Sequence, residues 1–165
     1  MNTDYFILEE IFKIITISPS DVLVDVGCGK GRVIIWWIKK GYKNKIIGIE
    51  LDPEIAKKTR KRLSKYNNVI IIEGDVLENI PKDGTIFYLF NPFNQNVMKK
   101  FKDKLEKIFL EMNKEIQIIY YNCLHVDIFK NDPNWLVKEI FLPKKSNLLV
   151  HKLALIRLRT SQGNN

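Results

Sequence analysis

Two periods of apolar residues alternate along the chain. Short runs dense in Val, Ile, Leu and aromatic residues read as strands, and between them apolar residues fall three and four apart, as on a helix. Asp4 to Ile17 places Ile7, Leu8, Ile11, Phe12 and Ile15 on one helical stripe. Ser18-Pro19-Ser20 ends it, because proline drives its predecessor out of helical geometry. Val22–Val26 predicts a strand, Arg32–Lys40 a helix stopped at Gly41, and Lys45–Glu50 a second strand. Asp52 followed by Pro53 is a favourable start for a helix reaching about Tyr66. Strands follow over Val69–Glu73 and Thr85–Phe90. A long helix over Asn94–Asn113 carries Val97, Phe101, Leu105, Ile108 and Met112, and a further strand covers Glu115–Tyr121. After a helical turn at Val126–Lys130, two strand-like runs, Trp135–Leu142 and Leu148–Leu158, flank Pro143-Lys144-Lys145-Ser146-Asn147, which has the length of a hairpin loop.

Strands alternating with helices predict an α/β fold, doubly wound around a mostly parallel sheet, with helices on both faces and a closing C-terminal hairpin. A length of 165 residues fits one domain, with no repeat and no linker. It divides into an N-terminal helix (1–20), a core (21–122), a closing hairpin (123–159) and a frayed polar tail (160–165).

Composition adds boundaries. A hydrophobic content of 45% with 28% charged residues is that of a globular protein. The N-terminus lacks the basic start of a signal peptide, and the longest apolar run, Val33–Ile38, is too short to span a bilayer, so no membrane partner is expected. The cysteines, Cys28 and Cys123, predict free thiols in a reducing cytoplasm, with neither a disulfide framework nor a metal site. The net charge of +8 leaves nucleic acid open as a partner. Lys far outnumbers Arg, the better bidentate phosphate ligand, so nucleic acid is not favoured over a plain compositional bias.

The chemistry gathers at Val22–Arg32, VLVDVGCGKGR, where an apolar strand runs into a glycine-rich loop and a helix start. Such a loop lets a ligand approach backbone, with helix N–H groups aimed at it. Further candidates follow later strand ends: Glu50, about twenty residues past the loop, then Gly74-Asp75-Val76, then Asn91-Pro92-Phe93. A nicotinamide-binding domain shares the loop and the carboxylate, but its third glycine falls where this chain has Arg32. The sequence instead reads D-x-G-x-G-x-G from Asp25 to Gly31.

With VDVGCGKGR, GIELDPE, EGDV and FNPF in this order, the chain resembles the class I S-adenosylmethionine-dependent methyltransferases. The resemblance covers Asp21 to Phe93 and implies a Rossmann-like seven-stranded sheet whose C-terminal hairpin is antiparallel. It implies S-adenosylmethionine as cofactor, with Gly27, Cys28 and Gly29 against its methionine part and Asp25 orienting the amino group. Glu50 would take the ribose hydroxyls, Leu51 the adenine face, and Asp75 and the Val76 N–H the adenine edge. Asn91 and Phe93 would border the methyl group and the acceptor. Plainer readings stand beside these: Asp25 as a loop cap, Glu50 as a surface carboxylate, Asp75 and Asn91-Pro92 as turn residues, Cys28 as a small filler. The single proline between Asn91 and Phe93 departs from the adenine amino-methylases, which carry two.

The expected activity is methyl transfer to a protein amine, a small molecule or RNA. A nicotinamide-dependent oxidoreductase, or a non-catalytic cofactor-binding module that activates a partner, are the alternatives. His125, after the fifth strand, is either a proton acceptor or a solvated loop residue, and His151 reads as structural. Tyr5 and Phe6 predict that the first helix covers the cofactor or shapes the acceptor pocket.

Overall fold

The computed structural model of the protein describes residues 3–142 and 151–161. The predicted hairpin loop at 143–147, the start of the last predicted strand at 148–150 and most of the tail lie outside the described residues.

The elements are α1 (Tyr5–Lys13), β1 (Leu23–Val26), α2 (Arg32–Lys39), β2 (Ile46–Glu50), α3 (Pro53–Leu63), β3 (Val69–Glu73), β4 (Ile86–Phe90), α4 (Gln95–Glu111), β5 (Gln117–Tyr121), α5 (Asp127–Lys130), β6 (Trp135–Leu142) and β7 (His151–Leu158). The strands form one seven-stranded sheet in the order β3-β2-β1-β4-β5-β7-β6. β3, β2, β1, β4 and β5 pair in parallel. β7 enters antiparallel to β5 and pairs with β6 from Trp135↔Leu158 to Leu142↔His151, as predicted for the closing hairpin.

Alternation along each strand sorts the core into two layers. Ile86, Tyr88 and the half-buried Phe90 of β4 face the layer of α1, α2 and α3, while Phe87 and Leu89 face the layer of α4 and α5. The helices begin where capping side chains satisfy free amides. Asp4 accepts from the Phe6 N–H, Asp52 from Glu54 and Ile55, and Asn94 from Val97.

Several predicted ends shift by one to three residues, α3 stopping at Leu63 rather than near Tyr66 and β5 starting at Gln117 rather than Glu115, and two elements differ further. α1 ends at Lys13 rather than Ile17. Its last residues, Ile14-Ile15-Thr16-Ile17, are β-branched and poor at holding a helix end, and Ile15 still reaches the core from irregular backbone. α4 is rotated from the predicted stripe. Met98, Phe101, Lys102, Leu105 and Phe109 are buried, whereas Met112 is 47% exposed. Lys102 can lie inward because its ammonium pairs with Asp132 and with Glu106 at 3.3 Å.

Candidate functional site

β1 and β4 are neighbours, yet the helices that follow them, α2 and α4, lie on opposite faces of the sheet. The chain therefore opens a crevice beyond the carboxyl ends of β1 and β4, where an open α/β sheet takes its ligand. The glycine loop lines it. The Gly27 and Cys28 N–H groups both donate to the Ile49 carbonyl at 2.9 Å, and the Gly31 N–H donates to Cys28 O at 2.7 Å. This fold-back puts Gly27, Gly29 and Gly31 at φ 72°, 52° and 72°, a region that favours glycine. At Gly31 a Cβ would also come within 3.2 Å of Leu63 and Thr59, so α3 packs directly on the loop.

Glu50, the last residue of β2, closes onto this loop. One of its carboxylate oxygens accepts from the Gly29 N–H at 2.8 Å and the other from the Asp52 N–H at 2.9 Å. Each oxygen retains a lone pair, so the clasp fixes the carboxylate without using it up. Leu51, beside it, is 70% exposed and presents an apolar wall. Gly74 N–H donates to Glu50 O at 2.9 Å and draws the β3 exit to the same edge. There Asp75 accepts from the Leu77 N–H at 2.9 Å through Oδ1. The Val76 side chain is buried, and its N–H meets no acceptor among the described residues.

Asp25 sits in β1 and is 4% exposed. Its carboxyl faces a small cavity shared with Thr3, Gly27, Arg32, Tyr88 and Phe90. Burial, and then repulsion from Glu50, push its pKa up to about 7. Arg32 does not relieve this: its guanidinium lies over the Tyr5 ring, 5.2 Å from the centroid. Among the described residues no ion pair reaches Asp25, Glu50 or Asp75. Cys28 fills the space beneath Gly48, where an added Cβ would lie 2.8 Å from its sulfur. Burial raises the pKa of this thiol, which suits a packing role rather than a nucleophile.

Beyond β4, Asn91 adopts φ 39° and its side-chain oxygen accepts from the Tyr120 hydroxyl at 2.9 Å. That hydroxyl accepts in turn from the His125 N–H at 3.3 Å. Burial pushes the Tyr120 pKa up to about 12, so it remains a donor at neutral pH. Phe93 turns away from the Asp25 cavity and packs on Phe101 of α4, with centroids 5.4 Å apart. Phe90 takes the place at the cavity wall, 4.9 Å from the Tyr121 ring, and the Tyr121 hydroxyl meets His151 Nδ1 at 2.5 Å. At the mouth, the Thr3 hydroxyl and the Tyr88 hydroxyl are hydrogen-bonded at 2.7 Å, which draws the chain before α1 over the cavity.

A sequence profile described as a methyltransferase domain matches residues 23–117, more than half of the chain. The chain belongs to the methyltransferase-domain family. A protein-lysine N-methyltransferase of Saccharolobus islandicus is 30% identical over 104 residues, which are 61% of this chain and 63% of that protein. A ribosomal RNA small subunit methyltransferase A of Thermotoga maritima is 31% identical over 119 residues, 69% of this chain and 42% of that protein. In each case the match spans less than two thirds of the relative's length. The fold is also that of an RNA methyltransferase from Salinibacter ruber, solved in complex with S-adenosyl-L-homocysteine. Its TM-score is 0.68 at 19% identity, covering 96% of this chain and 92% of that one.

Within this methyltransferase domain, the structure gathers Asp25, Gly27, Cys28, Gly29, Glu50, Leu51, Asp75, Val76 and Asn91 at the carboxyl ends of β1, β2, β3 and β4. The reading of the residues alone missed Tyr120 and Phe90. Phe90 opens the FNPF run, but nothing local says that it rather than Phe93 faces the cavity. Tyr120 lies in an apolar strand run without a motif, and only the parallel register Leu89↔Tyr120 brings its hydroxyl to the β4 exit. No group of His, Cys, Asp and Glu among the described residues could hold a metal, and no helix there is long and apolar enough to cross a membrane.

Proposed function

We propose that the chain is a methyltransferase that uses S-adenosylmethionine, whose sulfonium supplies an already activated methyl group. The carrying observation is the set of carboxylates at the glycine loop, Asp25, Glu50 and Asp75, that no cation of the described residues pairs with. A buried carboxyl without a counter-ion fits a ligand that brings positive charge, as the cofactor's ammonium and sulfonium do. It does not fit the pyrophosphate of a nicotinamide dinucleotide, which would add negative charge beside Asp25 and Glu50.

On this reading Asp25 receives the ammonium and Glu50, preset by the Gly29 amide, the ribose hydroxyls. Leu51 covers an adenine face. Asp75, through its second oxygen, and the Val76 N–H meet the adenine edge. Asn91, fixed by Tyr120, aligns the acceptor, while Phe93 anchors the loop to α4 and Phe90 supplies the wall at the reacting side. Methyl transfer of this kind asks mainly for alignment. Buried free thiols at Cys28 and Cys123 support a cytoplasmic protein.

Calorimetry with S-adenosylhomocysteine and with NAD tests the cofactor, and labelled methyl transfer into a cell extract tests the activity. Binding of the first ligand with incorporation of label is the expected result. Tighter binding of NAD overturns the proposal.

A further inference from the structure

α3 carries a charge arrangement that folding does not ask for. Lys57 and Lys61 are four residues apart, as are Lys58 and Arg62, so like charges stack along the exposed side of the helix and repel. None of these side chains has an ion-pair partner among the described residues, and neither has Lys30 in the glycine loop. α4 is also rich in lysine and behaves differently. Lys99 pairs with Asp103 at 2.8 Å, Lys102 with Glu106 and Asp132, and Lys104 with Glu78 at 2.9 Å. A compositional bias toward lysine would add cations to both helices. On α3 the one ion pair among the described residues is Arg60 with Glu73 at 4.0 Å, and it leaves Lys57, Lys58, Lys61 and Arg62 all unpaired, whereas on α4 three of the five lysines are paired.

The unpaired cations converge. Lys30, Lys58 and Arg62 line a cleft between the glycine loop and α3, floored by Ile55 and Thr59. The cleft and the loop share a wall: the Thr59 hydroxyl donates to Gly29 O at 2.8 Å, and Arg62 Nη2 lies 3.8 Å from where a Cβ on Gly31 would sit. The proposed cofactor has no phosphate, and its single carboxylate does not call for a row of cations along a helix, so the cationic cleft beside it serves a different molecule. A row of cations along a helix matches phosphates repeated along a backbone, and lysines serve there as point charges that fix position without reading bases.

We propose that the exposed side of α3, with Lys30 of the glycine loop, binds the phosphate backbone of a nucleic-acid methyl acceptor. The inference rests on the methyltransferase reading and narrows its acceptor. Backbone contacts do not need arginine's bidentate fork, so a lysine-rich face serves them.

The test is fluorescence anisotropy with a labelled stem-loop RNA, the DNA stem-loop of the same sequence and labelled poly-glutamate. The full chain is compared with Lys58→Gln/Arg62→Gln and with Lys100→Gln/Lys107→Gln, which removes the same charge from exposed positions on α4. Nucleic acid binds the parent chain in low salt, and the α3 variant loses about two phosphate contacts. Its affinity then falls about tenfold less than the parent's between about 50 and 200 mM salt, whereas the α4 variant keeps the parent's slope. Tighter binding of the RNA or of the DNA identifies the acceptor's chemistry, and either supports the proposal. Equal effects of the two variants, absence of nucleic-acid binding in low salt, or tighter binding of poly-glutamate overturn it. Calorimetry with S-adenosylhomocysteine on the same samples separates the two readings. Cofactor binding without nucleic-acid binding removes this interface alone, and the reverse removes the methyltransferase proposal.

Discussion

Replacing Asp25 by Asn should stabilise the ligand-free protein increasingly as pH rises. The Asp25 carboxyl is buried, and its pKa stands at about 7 against an ordinary 3.8, first because burial disfavours the charge and second because Glu50 repels it. A carboxyl with a raised folded-state pKa binds more protons in the folded chain than in the unfolded one. Between about pH 4 and pH 7 the folded state therefore loses stability as pH rises, by about 1.4 kcal/mol per pH unit from this group, and above about pH 7 the loss is complete. The full span is about 4 kcal/mol, an order-of-magnitude figure. In a chain of this size that corresponds to a melting temperature higher by about 10 °C for Asp25→Asn at pH 8, with almost no difference near pH 4. Asn keeps the shape and removes the titration, so the diagnostic is the slope of the difference rather than its absolute size. Thermal melts of both proteins across this range, without ligand, measure it. Parallel curves with a constant offset would refute the argument, because Asp25 would then ionise like an exposed carboxylate. Adding S-adenosylhomocysteine should reverse the order. The parent is stabilised by a ligand whose ammonium neutralises Asp25, and the variant is not.

Glu50→Ala should weaken S-adenosylhomocysteine binding by at least roughly ten- to hundredfold in calorimetry, the loss of a single charge-assisted hydrogen bond, while the fold survives. Asp75→Ala should cost less, since the adenine edge keeps the Val76 N–H. Tyr120→Phe removes the hydroxyl that holds Asn91 and should lower kcat while leaving cofactor affinity within about threefold, and Asn91→Ala should do the same more strongly. Unchanged turnover in both would make the β4 exit a plain turn. Gly48→Ala places a methyl group within 2.8 Å of Ile34, Cys28 and Ile71 and should destabilise by about 1–3 kcal/mol in denaturant melts.

The element order, the loop and the strand-end carboxylates are legible in the amino-acid sequence. Those features are local: β-branched runs, helical spacing, capping residues and glycines that must adopt positive φ act over a few neighbouring residues. β3 over Val69–Glu73 and β6 over Trp135–Leu142 keep their predicted bounds for that reason. Tertiary structure decided which side of an element faces inward and which distant side chains meet. α4 offers apolar residues over a wide arc. The face it buries, Met98, Phe101, Lys102, Leu105 and Phe109, depends on its approach to the sheet and on Asp132 and Glu106 standing ready to neutralise Lys102. The same holds at the site. Asn91 and Tyr120 are 29 positions apart and meet only because β4 and β5 run parallel in register. Phe93 looked like the wall of the acceptor pocket, but the turn at Asn91, with φ 39°, sends it against Phe101 and leaves Phe90 at the cavity. The charge on α3 shows the same division. Its lysines are plain in the sequence, as are the i,i+4 pairs of α4, yet only the assembled fold brings Asp132 to Lys102 and Glu78 to Lys104 and leaves the lysines of α3 unpaired beside the glycine loop. Pairing depends on distance in space, which chain position does not encode.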